Sequence, residues 1–354
     1  MDLLVVVLAI VCFYGLRFSW AGHADYIDRG QTDSIKGIFA IIILYSHMRW
    51  GIIPPPSGSY DRLFIFMLNF LGQLMVVMFL LYSGYGIMES LKRNKEKYIK
   101  TFFTHRLVKV WLMFAIAVSL FCILNFVLDR SYPVNNYILC WIGWESVGNS
   151  NWFVFDILLL YAITNLVLVF ADRCGINLKW VALSIYLLTF VMLVFLVKAG
   201  KETHWYDTIL AYPAGMLYSL YKNRIEVLTR GWRWMLCALV TALVFAGFKY
   251  GFVNHFLSFS PHLQLVAFAM TSSVFALLVV LLTMKIKVDN KVLRWLGINA
   301  FSIYILQRLA MIVGTHLGLN QKGLIYAAFV IPVTLLLASI FTAVTGRINR
   351  KLFA

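Results

Sequence analysis

One histidine stands within an apolar stretch, where a titratable side chain is costly. His47 closes the run Ile41-Ile-Ile-Leu-Tyr-Ser-His47, eleven residues after Lys36. A helix rises about 1.5 Å per residue, which would place His47 about 16 Å beyond Lys36, near the middle of a bilayer. An imidazole titrates near neutral pH and can act as a general base where water is scarce. The structural alternative is a core histidine bonded to a neighbouring carbonyl, and burial alone favours neither.

Two basic residues stand where another apolar run begins. Arg106 and Lys109 are three residues apart, just before the run 110–128. Residues at this spacing share a face of a helix, so the two cations are predicted to approach one ligand together. Guanidinium and ammonium groups suit a phosphate-bearing ligand. Snorkelling of long basic side chains at a helix end explains the pair equally well.

Further polar and aromatic residues occur inside apolar runs. Trp152 and Asp156 lie near the start of one run, and Tyr304, Gln307 and Arg308 lie in another. Ionisable residues within a membrane-spanning helix are candidates for function by default. Asp156 is expected to orient a hydroxylated ligand or an imidazole, or else to face water. Arg308 is expected to pair with an acidic group or to bind a ligand.

Membrane helices must position these residues, because the composition excludes a soluble domain. Of 354 residues, 62% are hydrophobic and only 13% are charged, whereas about 25% are charged in a typical soluble protein. The mean hydropathy is +0.82. The uncharged run 63–88 exceeds the roughly 20 residues that cross a bilayer as a helix. The sequence therefore predicts an all-α, polytopic transmembrane helix bundle.

Apolar runs bounded by charges, proline or glycine predict about 10–11 spans. The candidate spans are residues 2–20, 35–53, 63–88, 103–128, 152–171, 179–198, 205–222, 233–253, 262–284, 293–316 and 323–346. If loops alternate between the two sides, one side receives 23 Lys and Arg residues and the other receives 7. The positive-inside rule then predicts an amino end outside and a carboxyl end in the cytoplasm. The segment 128–151 is predicted to form a helix at the interface or folded back over the bundle.

The net charge of +16 does not indicate nucleic-acid binding, because the chain has no soluble basic domain. Lipid headgroups and a phosphorylated cosubstrate are the expected partners of the positive charge. The five cysteines are scattered without the spacing of metal ligands, so no metal site is predicted. Neither a Walker loop nor a dinucleotide-binding fingerprint is present in the sequence.

Several motifs, taken in order along the chain, resemble the acyltransferase-3 family of integral-membrane O-acyltransferases. Lys36 and His47, with ten residues between them, are similar to its opening signature of a basic residue followed by the catalytic histidine. Other similar segments are Phe79–Tyr85, His105–Lys109, Asn151–Phe153, Ala211–Met216 and Leu296–Gln307. Lys36 replaces the usual arginine, Asp156 stands where glutamate is common, and Gln307 replaces a histidine.

The resemblance implies transfer of an acyl group, most often acetyl from cytosolic acetyl-CoA, to a hydroxyl of a surface or lipid-linked carbohydrate. It implies that His47 is catalytic, that Lys36, Arg106 and Lys109 bind the donor, and that the acceptor pocket contains Trp152, Asp156, Tyr304, Gln307 and Arg308. Acetyl-CoA would be a cosubstrate, with no cofactor bound permanently. The implied location is the inner cell membrane. Residues 1–354 would form one membrane-embedded acyltransferase domain, with 1–20 as an extra leading span and 33–345 as the family-like core.

Two other functions remain open at this point. A polytopic transporter of a glycolipid or small anion would also suit a central histidine and an intramembrane arginine, although no inverted repeat or matched pair of broken spans is visible. A membrane scaffold without catalysis would not depend on His47. Within the acyltransferase hypothesis, His47 could act as a base or carry the acyl group itself. The sequence does not identify the acceptor, the acyl chain or the oligomeric state.

Overall fold

The computed structural model describes residues 1–252, 261–288 and 290–353 and confirms the predicted all-α polytopic bundle. The α-helices, numbered in chain order, are α1 (Asp2–Phe13), α2 (Arg29–Arg49), α3 (Arg62–Leu71), α4 (Leu74–Arg93), α5 (Lys95–Phe102), α6 (Lys109–Val127), α7 (Val134–Leu139), α8 (Trp152–Arg173), α9 (Leu178–Lys198), α10 (Ala211–Leu228), α11 (Arg233–Ala246), α12 (Pro261–Thr283), α13 (Lys291–Ile298), α14 (Ala300–His316) and α15 (Gly323–Leu352). Two short strands, β1 (Leu16–Phe18) and β2 (Ile286–Val288), pair antiparallel with Arg17 opposite Lys287.

Seven helical stretches in the described ranges are long and apolar enough to cross a membrane, and an eighth is obtained if α13 and α14 form one bent span. The seven are Leu74–Arg93, Lys95–Val127, Trp152–Arg173, Leu178–Lys198, Arg233–Gly251, Leu265–Thr283 and Gly323–Leu352. Three predicted spans, 2–20, 35–53 and 205–222, do not meet this test. The first forms only the 12-residue α1, while α2 and α10 carry several charged residues.

Two predicted spans are broken rather than continuous. The run 63–88 divides into α3 and α4 at Gly72, whose φ of +49° suits a residue without a side chain. The run 293–316 divides at Asn299 into α13 and α14, which are bent by 76°. Asn299 bonds the Trp295 carbonyl at 2.9 Å through its side chain, which satisfies a carbonyl near the end of α13. A hydropathy pattern does not register such breaks, because both flanking helices remain apolar.

Close helix crossings fix α2 and α4 in the bundle. A Cβ atom on Gly297 of α13 would overlap the Asp33 carbonyl oxygen of α2, and one on Gly84 of α4 would overlap the Tyr212 carbonyl of α10. Such contact between helix backbones requires small residues. α2 also packs against α4 and α14. These crossings hold α2, which carries His47, in a fixed position relative to α14.

The segment between α6 and α8 folds back over the bundle, one of the two arrangements predicted for it. After the short helix α7, the Trp144 ring packs against Trp205 and Phe155, with ring centroids 5.9 and 5.1 Å away. Side-chain amides fasten the segment, since Asn125 donates to the Val147 carbonyl and Asn151 to the Gly143 carbonyl. The segment therefore covers one end of the bundle.

Candidate active site

His47 lies in the last turn of α2 and is half-buried. The helix is unbroken from Lys36 to His47, so the two residues are separated by about 16 Å along its axis, as predicted. Asp28 caps the start of α2 by accepting a hydrogen bond from the Gln31 N–H at 2.8 Å. The histidine is thus carried on a continuous helix that begins well away from it.

Gln307 holds the His47 imidazole. Its Nε2 lies 2.7 Å from His47 Nδ1 and also donates to the Tyr304 carbonyl at 3.1 Å. An amide N–H can only donate, so Nδ1 accepts and the proton of the neutral ring lies on Nε2. Gln307 is fully buried, and its Oε1 has no partner among the described residues. A half-turn of the amide would present Oε1 to a protonated Nδ1, so Gln307 can accommodate either tautomer.

α14 presents three of the predicted residues toward His47. Tyr304, Gln307 and Arg308 are spaced three and four residues apart, which places them on one helical face. The Tyr304 ring lies 6.0 Å from the His47 ring, and Arg308 lines the same cavities as His47. The structure therefore brings together residues that the sequence could only assign to two separate spans.

Two open cavities meet at His47. The larger has a volume of about 740 Å³ and the smaller about 470 Å³. His47, Trp50 and Arg308 line both cavities. Trp152 and Tyr304 line only the larger one, which fits their predicted role beside a bound ligand. Because the shared residues stand at the junction, a ligand in either cavity can reach His47.

Arg308 has no acidic partner within salt-bridge distance in the described ranges, and its Nε has no hydrogen-bond partner there. Of the two roles predicted for it, pairing with an acidic group is therefore not observed. A guanidinium that faces a cavity without a carboxylate partner favours an anionic group or a developing negative charge at that position.

Asp156 is buried, so one of the roles predicted for it, facing water, is not observed. Its side chain is in a position only 1% exposed, and neither carboxyl oxygen has a partner among the described residues. It lies one turn after Trp152 on α8 and does not line either cavity. Asp207, also buried, interacts with it electrostatically. Both acids are buried, and neither lines either of the two cavities.

At the far end of α2, Lys36 is engaged within the protein. Its Nζ lies 2.6 Å from the Asp33 carboxylate, and the second oxygen of Asp33 lies 3.7 Å from Arg29 Nε. Lys36 is about a quarter exposed, so a ligand phosphate could still reach it by sharing the ammonium with Asp33. Arg29 is the freer cation, with its side chain 91% exposed.

Arg106 lies in a π-helical turn, Phe103–Val108, between α5 and α6. In such a turn the hydrogen bonds join residues five apart, so Arg106 and Lys109 diverge more than the predicted α-helical face would allow. Arg106 Nε donates to the Tyr98 hydroxyl at 3.1 Å, while Lys109 is half-buried at the first position of α6. The sequence carries no clear signal for the π turn. α6 runs from this basic pair toward the cavity end of the bundle.

Several residues that line the cavities are not among the predicted site residues. Arg49 and Trp50 follow His47 by two and three residues, so their proximity in the sequence is a usable signal. Arg130 and Tyr132 line the smaller cavity only because the segment after α6 folds back. Arg130 donates to the Tyr132 hydroxyl at 3.0 Å, and Arg49 donates to Asn69 at 2.7 Å.

The rim of the larger cavity carries one acid and one histidine in close contact. Glu202 lies 3.2 Å from His204 Nδ1. Burial lowers the pKa of His204, and the nearby carboxylate only partly opposes this effect. His204 is therefore neutral at pH 7. No group of His, Cys, Asp and Glu side chains in residues 1–252, 261–288 and 290–353 is arranged to hold a metal ion.

A small apolar cavity of about 60 Å³ is lined by residues of α2, α4, α8 and α14, and His47 is not one of them. Ile43 lines it one turn before His47 on α2, and Tyr304 lines it from α14. Phe79 and Phe153 close it, with ring centroids 6.3 Å apart. Its apolar lining suits a short hydrocarbon group held about one helical turn from His47.

The chain was compared with curated proteins, solved structures and protein-family models. No curated protein and no solved structure matches the chain. A family model described as an acyltransferase domain matches residues 29–343, a range that includes His47 and the α14 residues beside it. The match covers nearly the whole chain, and the chain is a multi-pass membrane protein of the acyltransferase-3 family.

Proposed function

We propose that this protein moves an acetyl group from acetyl-CoA, supplied on the cytoplasmic side, to a hydroxyl of a carbohydrate on the opposite side of the membrane. The observation that carries the proposal is the position of His47, which is held by Gln307 at the junction of two open cavities. Family membership supports acyl transfer, and the cavities support an acceptor with many polar groups.

The donor would bind at the opposite end of α2 from His47. Arg106 and Lys109, together with Lys36, would hold the phosphates of acetyl-CoA. Arg106 supports this role because its hydrogen-bond partner is the uncharged Tyr98 hydroxyl, which leaves the guanidinium charge available to an anion. The long pantetheine arm would extend toward His47. The 60 Å³ apolar cavity would receive the acyl group or the thioester end.

In the direct route, His47 accepts the proton of the acceptor hydroxyl while that oxygen attacks the thioester carbonyl. A bond forms between the acceptor oxygen and the acyl carbon, the C–S bond breaks, and the proton passes from His47 to the CoA thiolate. The half-turn of the Gln307 amide allows His47 Nε2 to accept this proton. Arg308 would stabilise the oxyanion that develops on the carbonyl oxygen. In the covalent route, His47 Nε2 would first attack the thioester carbonyl, so that the C–S bond breaks and CoA leaves as the thiolate. The acceptor oxygen would then take the acyl group from Nε2, and its proton would pass to the CoA thiolate.

The lining of the larger cavity supports a carbohydrate acceptor. Asn69, Gln73, Asn149 and Asn151 supply amide groups there, and amides can both donate to and accept from sugar hydroxyls. Trp152 and Trp50 supply flat apolar surfaces, which suit the C–H faces of a sugar ring. This combination of amides and aromatic rings is less suited to an apolar acceptor.

The test is release of free CoA from acetyl-CoA by purified protein in the presence and absence of a glycan extract. Wild type is expected to release CoA only with glycan, and His47→Ala is expected to lose that release. His23→Ala, a histidine remote from both cavities, is the matched control. Glycan-dependent release that persists in His47→Ala would contradict the assignment of His47. Glycolipid or anion movement without CoA release would favour the transporter.

A further inference from the structure

The two cavities at His47 differ in position but share a wall. The larger extends from His47 toward Trp152 and His204, and the smaller extends toward Arg130 and Tyr132. Because His47 stands between them, a reacting hydroxyl at the imidazole has open space on both sides. An acceptor that ended at the reacting sugar would leave one of the two cavities without a role.

The volumes also exceed the needs of one sugar. Cavities of about 300–1,000 Å³ hold drug-sized ligands, and each of the two cavities, at about 740 and 470 Å³, lies in that range. Trp50 is 81% exposed at the junction, so its ring is available to stack on a ligand that passes from one cavity to the other. The space is therefore suited to a chain of several sugar units.

The charged residues that line the two cavities are mostly arginines. Arg49 lines the larger cavity, Arg130 the smaller, and Arg308 both, while Glu202 is the one carboxylate among the described lining residues. Glu202 is remote from the smaller cavity and lies against His204. Arg49 and Arg130 each bond a neutral side-chain oxygen and lie over an aromatic ring, and neither has a carboxylate partner among the described residues. Guanidinium groups bind carboxylates and phosphates with two parallel hydrogen bonds.

We propose that the acceptor is an extended anionic glycan that runs through both cavities past His47, so that the modified unit is internal to the chain. Arg130 contacts an anionic group on one side of the modified unit, Arg49 contacts one on the other side, and Arg308 lies at the reacting unit. The acylation of this glycan rests on the proposed function, but its binding does not.

The anionic group can have two sources, since both a sugar carboxylate and a phosphate between sugar units match a guanidinium. The experiment therefore measures binding of three sets of oligosaccharides to the protein in nanodiscs of neutral lipid. One set is galacturonic acid oligomers from monomer to hexamer, one is glycerol phosphate oligomers of the same lengths, and one is neutral glucose oligomers. No donor is added, so binding is measured without chemistry.

We expect affinity for at least one anionic set to rise about tenfold or more from monomer to hexamer, with a weaker gain for the neutral set. The anionic set whose affinity rises with length identifies the anion as a carboxylate or a phosphate. Arg130→Gln is expected to reduce hexamer affinity and leave monomer affinity unchanged, whereas Arg130→Lys keeps part of the gain. Arg62→Gln, an exposed arginine that lines neither cavity, is the matched control and is expected to bind like wild type.

Equal affinity for monomer and hexamer in both anionic sets would overturn the inference, and so would an Arg130→Gln variant with wild-type hexamer affinity and melting temperature. These outcomes are separate from failure of the proposed function. If acyl transfer occurs and depends on His47 while length and charge do not affect binding, only the extended anionic acceptor is wrong. If binding follows length and charge but CoA is never released, the glycan site stands and the reaction is wrong.

Discussion

His47 and Gln307, 260 positions apart in the chain, are joined by a 2.7 Å contact between Nδ1 and Nε2. The Tyr304 carbonyl accepts from the same Gln307 amide at 3.1 Å, which fixes the amide orientation in the resting state. One side chain of α14 thus sets the tautomer of His47 in the resting state, and a half-turn of its amide would accommodate the other tautomer. The family pattern usually has a histidine at this position, and an amide retains the ability to donate or to accept.

Removing this contact is expected to slow the reaction without weakening donor binding. Gln307→Leu should lower kcat about tenfold or more, since loss of a buried hydrogen bond costs about 1–3 kcal/mol, while the KM for acetyl-CoA stays unchanged. Gln307→His should recover much of the activity, because imidazole can also donate or accept. Steady-state kinetics check this prediction. A Gln307→Leu enzyme with the wild-type kcat would show that the contact does not position His47.

The donor site is tested at Arg106. Arg106→Ala should raise the KM for acetyl-CoA about tenfold, since hydrogen bonds to charged groups contribute about 1.5–3 kcal/mol, and should change kcat less. Lys97→Ala removes an exposed cation from the same basic region and is expected to leave the KM nearly unchanged. An unchanged KM for Arg106→Ala would remove this residue from the donor site, and equal effects of both variants would indicate a general charge effect.

Trp50 is predicted to stack on the acceptor at the junction of the cavities. Trp50→Ala should raise the KM for glycan roughly three- to tenfold, consistent with about 0.5–1.5 kcal/mol for an aromatic contact, and leave the KM for acetyl-CoA unchanged. Trp50→Phe should retain most of the affinity. Trp232→Ala, which removes another exposed ring (72% exposed), serves as the control. If the two alanine variants have the same glycan KM, stacking on Trp50 is excluded.

The crossing of α2 and α13 is predicted to be intolerant of any side chain at Gly297. Gly297→Ala should lower the melting temperature, since overpacking costs about 1–3 kcal/mol and the obstructing atom is the backbone carbonyl of Asp33. Gly346→Ala on α15 meets open space and should be neutral or slightly stabilising. Thermal unfolding in detergent compares them. A Gly297→Ala protein as stable as wild type would mean that the crossing can separate at little cost.

The sequence predicted much of the architecture because a helix that spans a membrane needs a long run of apolar residues, which is visible in the sequence. It also placed His47 in one apolar run and Tyr304, Gln307 and Arg308 in another. It could not show that these two helices meet at His47, because that contact depends on packing between distant segments. The glycines at the crossings permit the close approach of the helices. A glycine in the sequence does not indicate which other helix it will contact.

Other parts of the site had no usable sequence signal. Arg130 reaches the smaller cavity only because the segment after α6 folds back, and that path is fixed by side-chain amides such as Asn125 binding distant carbonyls. The π turn Phe103–Val108 directs the Arg106 side chain away from the face that an α-helix would give it. Facing water was one of three roles predicted for Asp156, and the packing of α8 buries it instead. Each difference arises from tertiary contacts rather than from local preference.

The central claim is that His47 transfers an acyl group to a carbohydrate hydroxyl, and the most direct measurement is the ester itself. Purified protein is incubated with acetyl-CoA carrying a labelled acetyl group and with glycan, and the glycan is then separated and analysed by mass spectrometry. Wild type and His23→Ala are expected to produce an alkali-labile acetyl ester on the glycan, and His47→Ala is expected to produce none. The same ester formed at the wild-type rate by His47→Ala would contradict the account.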